Sequence, residues 1–263
     1  MSETFWYETE RRLKGTVVFA VVVSLYAVFA VGLFPSVETA NVDFERLMES
    51  YPEALREAFG VEAIGTIEGF LAGELYNFVW VLLLGVYFAY RAGGMIAADI
   101  ERGRMDLLLS LPISRARLLV EKYASLIVPI TVVNIVTGIT VYAGTVVIGH
   151  AIDPVAIVMV HLLSIPYLLA CAAIGLVFSV VLDRADIAQR AALGALFVLY
   201  LIESLATSTE QFEALKYLSP TYYYAPTDVL VRESYAVVDT AILGGMAVGL
   251  LFCSYLRFKN RDI

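Results

Sequence analysis

The side chains that could do chemistry gather at a meaningful spacing in one stretch, AADIERGRMDLLLSLPISRARLLVEKY, residues 97–123. Charges open it (Asp99, Glu101, Arg102, Arg104) and an apolar block follows (Leu107, Leu108, Leu109, Leu111). Pro112, Ser114 and the basic pair Arg115 and Arg117 come next. Met105 to Leu111 is too short to cross a bilayer and too apolar for a solvated loop. It predicts a helix of one to two turns, stopped at Pro112, with Ser114 capping the helix that follows. What such a segment offers is binding. An apolar helix bracketed by charges needs a cover, either the headgroup layer or a docking partner.

Catalysis has far less support. No G-x-x-x-x-G-K-[ST] stretch occurs, so the chain has no P-loop for a nucleotide. His150 lies in a turn and His161 in an apolar run, without paired His, Cys or acids around them. Hydrogen bonding or solvation is expected of both, and no metal site. Cys171 and Cys253 lie in apolar runs and read as small buried thiols. No spacing favours a Ser-His-Asp set. Arg91, Glu203 and Asp239 are the charges nearest to hydrocarbon. Asp239 and Arg91 stand near run ends, where Arg91 either snorkels to water or faces the bundle. Arg91 and Glu203 are the candidates for a pathway or an internal pair.

These residues need elements to position them, and the composition says which. Sixty per cent of the 263 residues are hydrophobic and only 17% are charged, an excess that calls for a second solvent. The apolar residues form runs long enough for about 30 Å of hydrocarbon. The net charge of −8 is confined to the stretches between them. Spans are expected at about 15–34, 75–98, 124–148, 155–182, 191–208 and 237–256: an all-α, polytopic membrane protein of one domain, 1–263. The first run, Gly15 to Phe34, is longer than a typical signal-peptide core, and Pro35 is expected to stop it. Before it, Phe5, Trp6 and Tyr7 beside Glu8, Arg11, Arg12 and Lys14 suit a short helix at headgroup level.

External segments are expected at 35–74 and 209–236. In the first, Phe44, Leu47, Tyr51, Leu55 and Phe59 recur at amphipathic helical spacing, with Pro52 interrupting. Loop 183–190 joins the fourth and fifth spans. The clean apolar stretch of span five ends at Ile202, so a half-span or a helical re-entry is open there. Gly245 and Gly249 have G-x-x-x-G spacing, a weak signal for helix approach. Fourteen of the 18 lysines and arginines fall in the N-terminus, 91–122, 183–190 and the C-terminus; four fall on the other side. Positive residues stay in the cytoplasm, so both termini are expected there.

The order Glu101, Gly103, Leu107-Leu108, Pro112, Ser114-Arg115 and Lys122 resembles the signature of ABC transporter permeases of the type-2, export class. YLSPTYYYAPTDVL (217–230) resembles the Ser-Pro-aromatic element that precedes the last span in that family. Arg104 departs from the pattern, which has small or hydroxyl residues after the glycine. The resemblance implies six spans across the cytoplasmic membrane, with both ends in the cytoplasm. It also implies that segment 99–117 couples to a separate ATP-binding ABC subunit, which holds the ATP and magnesium. The partner-binding residues it implies are Glu101, Gly103, Leu107, Leu108, Leu111, Pro112 and Arg115: leucines in a groove, charges at its rim. It further implies pairing with a second copy or a related permease, and no cofactor or catalytic residue on this chain. No nucleic-acid partner is expected. An intramembrane enzyme, or a scaffold that does not transport, are the alternative classes.

Overall fold

The computed structural model describes residues 3–39, 65–110, 113–207 and 210–261. No strand occurs among the described residues, and six helical stretches are long and apolar enough to cross a membrane. The first is α1 (Glu3–Thr39). The second begins as α2 (Ile67–Leu71), widens into a π-helical stretch (Ala72–Leu84) and ends as α3 (Gly85–Gly93). Short helices α4 (Ala97–Glu101), α5 (Arg104–Leu109) and α6 (Arg115–Ala124) lead to the third span, α7 (Ile127–Val147). The fourth, fifth and sixth are α8 (Pro154–Val181), α9 (Ala185–Thr207) and α11 (Val237–Lys259). Between the last two lie the 3₁₀ turns Glu210–Leu218 and Pro220–Tyr223 and helix α10 (Pro226–Val231).

α8 is the hub, packing against α3, α7, α9 and α11, while α1 lies along α7. Small residues on α8 (Ala170, Ala172, Ala173, Gly175) are buried and let the second span approach closely. A Cβ at Gly175 would fall 2.0 Å from the carbonyl oxygen of Ala89, so only glycine fits. By contrast, nothing among the described residues lies within 4 Å of a Cβ at Gly245 or Gly249, so their spacing serves no contact there.

A polar network is buried in this apolar core. Asn134 Oδ1 accepts from Trp80 Nε1 (3.1 Å) and Ser164 Oγ (2.8 Å), while its Nδ2 donates to the Ile130 carbonyl (2.9 Å). The indole can only donate, which fixes the amide's orientation. His161 Nδ1, 2.9 Å from the same oxygen, therefore carries the ring proton. Its Nε2 accepts from the Tyr76 hydroxyl at 3.0 Å. Gly138 makes room for the imidazole, since a Cβ there would meet Cδ2 at 2.9 Å. His161 is thus a satisfied core residue, as its sequence context predicts.

The boundaries differ from the expected ones in three places. α1 is one helix from Glu3, so the aromatic N-terminus is no separate interfacial helix, and it passes Pro35 to reach Thr39. Tertiary packing carries it through: Phe34 is buried against Phe70 and His150, at ring separations of 5.7 and 5.1 Å. Proline is tolerated in membrane helices where neighbours cover the freed carbonyl. The loop expected over 183–190 is mostly helix, because α9 starts at Ala185 with Asp186 in its first turn, a favourable charge at a helix N-terminus. α9 also runs unbroken to Thr207, which settles span five as a continuous helix with Glu203 in its last turns. The amphipathic pattern over 44–59 lies outside the described residues.

Gly175→Ala should therefore destabilise the bundle by about 1–3 kcal/mol, the cost of overpacking a filled interface. Gly249→Ala should be neutral. The thermal midpoint of the purified protein in detergent separates the two, and equal midpoints would contradict the close contact.

Candidate functional site

Segment 97–123 folds as helix, turn, helix, helix, and its glycine makes the turn. Gly103 has φ +63°, a left-handed conformation that a side chain disfavours, and it reverses the chain between α4 and α5. α5 is two-sided. Met105 is buried, and Leu108, Leu109 and Ile113 pack half-buried against the core. Leu107 is 70% exposed, flanked by exposed Asp106 and Ser110. Leu111 and Pro112 lie outside the described residues. Ser114 caps α6 as expected, its hydroxyl accepting from the Arg117 amide at 3.2 Å.

The charged residues around α5 tie it to the rest of the bundle. Glu101 Oε2 accepts from the Ala185 amide at 3.1 Å, satisfying a free donor at the start of α9. Arg115 donates to the carbonyls of Phe258 (3.2 Å) and Arg261 (2.5 Å), where a cation suits the helix terminus. Arg261 in turn pairs with Asp183 and donates to the Val180 carbonyl at 2.7 Å. Ser179 Oγ, on α8, accepts from the amides of Ile96 and Ala97 at 2.9 and 3.1 Å. Glu101 and Arg115, expected at the rim of a partner's groove, thus also make bonds within the chain.

Beneath α5 lies a buried ion network that the sequence reading missed. Lys122, 2% exposed, bridges Glu8 of α1 and Asp99 of α4, the latter at 2.7 Å. Arg104 reaches the other oxygen of Asp99 at 2.7 Å. The departure from the resembled motif therefore has a structural use. The only signal in the sequence was that Glu8, Asp99 and Lys122 flank apolar runs which must end at the same level. α1 begins and α11 ends at this same end of the bundle, through Glu8 and Arg261.

The two pathway candidates do not meet. Arg91 is exposed at the end where α4 begins. Glu203 is half-buried near the opposite end of α9, where Thr221 Oγ1 donates to it at 3.4 Å. An open apolar groove of about 420 Å³ runs between α7 and α8, lined by Ile135, Ile139, Val158 and Leu162, with Asn134 and His161 at its floor. Glu203 and Arg91 line no part of it.

The described geometry is thus a helix with one exposed leucine, lying between segments whose polar bonds reach spans one, four, five and six. The family model for the ABC-2 family transporter protein matches residues 5–263. A search of curated proteins finds no match.

Removing the central cation should be costly. Lys122→Met removes the buried cation that Glu8 and Asp99 share and should destabilise the protein by about 3–5 kcal/mol. Arg117→Met, which breaks only the exposed pair with Glu121, should cost under about 1 kcal/mol. Comparable thermal midpoints for the two variants would show that the buried network does not hold this end together.

Proposed function

Because the chain belongs to the ABC-2 transporter family and is a multi-pass permease subunit of an ABC transporter, we propose that it works as the membrane half of an ATP-driven exporter. Two copies, or this chain and a related permease, flank a central pathway in the cytoplasmic membrane with both termini in the cytoplasm. A separate ATP-binding subunit holds ATP and magnesium and grips α5. The exposed Leu107 carries this reading. Its helix presents an apolar side chain outward while its other face is anchored, which is the form of a helix-in-groove contact.

The transmission follows from the bonds already described. A push on α5 passes to its neighbours α4 and α6, and from them to α9 through Glu101, α11 through Arg115, and α1 through Lys122 and Glu8. Closure of the ATPase pair supplies the differential free energy, and the bundle supplies two conformations for it to bias. Spans five and six suit a moving, subunit-facing role, since only 17% of each apolar window is buried within the chain, against 61% for spans two and four. The open faces of α9 and α11 are covered by lipid or by the second permease. Arg91 and Glu203, at opposite ends of the bundle, mark the two mouths of the pathway rather than a pair within it.

Leu107→Asp should abolish or reduce at least about tenfold the co-purification of an ATP-binding subunit from native membranes, an interface hot spot being worth about 2 kcal/mol or more. The substitution is exposed and should leave the thermal midpoint of the permease unchanged. An intact complex with Leu107→Asp would remove the proposed contact.

A further inference from the structure

A polar cleft of about 380 Å³ opens where α1, α3, α4, α6 and α9 meet, beside the buried ion network. Five cations, Arg11, Arg91, Arg102, Arg104 and Lys122, line it with only two carboxylates, Glu8 and Asp99, leaving three positive charges in excess. This runs against a chain whose net charge is −8. Lys122 and Arg104 are taken up by the carboxylates. Among the described residues, Arg11, Arg91 and Arg102 have no carboxylate partner. They come from three different elements, so the fold rather than local sequence brings them to one cavity.

The cleft is also built to admit a compact polar group. Gly15, Gly94 and Ala98 leave its walls low. Gln189 adds an amide, lying over Gly94 so closely that a Cβ there would meet its Nε2 at 2.6 Å. Arginine forks and an amide suit the oxygens of a phosphate. The level is that of the headgroups: Gly15 begins the charge-free run of span one, and Arg91 ends that of span two. Leu13, Val17 and Tyr90, adjoining in sequence, are exposed and offer apolar surface for acyl chains.

We propose that this cleft binds the phosphate of an anionic lipid headgroup, with Arg11, Arg91 and Arg102 as its charge partners. Basic pockets between spans recognise such headgroups by the same electrostatics. The bound lipid would clamp α1 to α3 and to the turn before α5. It would neutralise three arginines that otherwise repel one another. The assignment stands on the cleft alone and holds whether or not the chain is an exporter.

The full-length protein, purified in a neutral detergent, is titrated with short-chain phosphatidylglycerol, phosphatidylcholine of the same chain length, or sodium phosphate. Thermal midpoint and bound lipid by native mass spectrometry are the readouts. Phosphatidylglycerol should raise the midpoint and remain bound, while phosphatidylcholine should do neither. Arg91→Gln with Arg102→Gln should weaken that binding at least about tenfold, as expected for lost charge-assisted hydrogen bonds. Arg102→Gln alone, in an exposed turn, carries the measurement should the double variant not fold. Arg257→Gln, outside the cleft on α11, should bind as the parent does. Equal losses with Arg257→Gln, or no preference for phosphatidylglycerol, would overturn the site. Equal protection by sodium phosphate would overturn the lipid assignment.

Discussion

Lys122 is the residue on which the end of the bundle depends. A buried ammonium is tolerated only when its charge is met, and here two carboxylates from different elements meet it. The first span, the end of the second and the start of the third thereby become one unit. The price in desolvation is high, so the arrangement fixes geometry more than it adds stability. α5, with its outward leucine, is therefore mounted on a rigid base rather than on a loop.

The core uses polar groups with the same logic at a different depth. Asn134 gathers an indole from the second span and an imidazole and a hydroxyl from the fourth, and each donor has a partner that lipid could not supply. Between helices in lipid, apolar surface alone specifies little, because acyl chains are as apolar as leucine. A satisfied network and close glycine contacts choose one packing from many. Tyr167 adds to this by donating to the Val81 carbonyl at 2.7 Å, inside the widened π stretch.

The number and approximate place of the spans were legible because uncharged runs of that length have few other uses in water. Ser114 as a cap was legible too, since hydroxyl capping is a local matter. Pro35 misled, because a local rule against proline in helices gives way to burial of Phe34 against neighbouring rings. Less legible was that Glu101 and Arg115 each satisfy backbone groups of a helix far away in sequence. Such partners depend on where α9 begins and α11 ends, which no local pattern specifies. The Lys122 network was hidden for the same reason: its members are separated by up to 114 positions and only the fold makes them neighbours.

The π-helical course of Ala72–Leu84 gives the second span a store of slack. Its wider turns hold more residues than α turns, so tightening one of them would rotate everything beyond it by about 100° and advance it about 1.5 Å for each residue released. Arg91 and α4 lie downstream of that stretch, and the hydroxyl of Tyr167 bonds to the Val81 carbonyl within it.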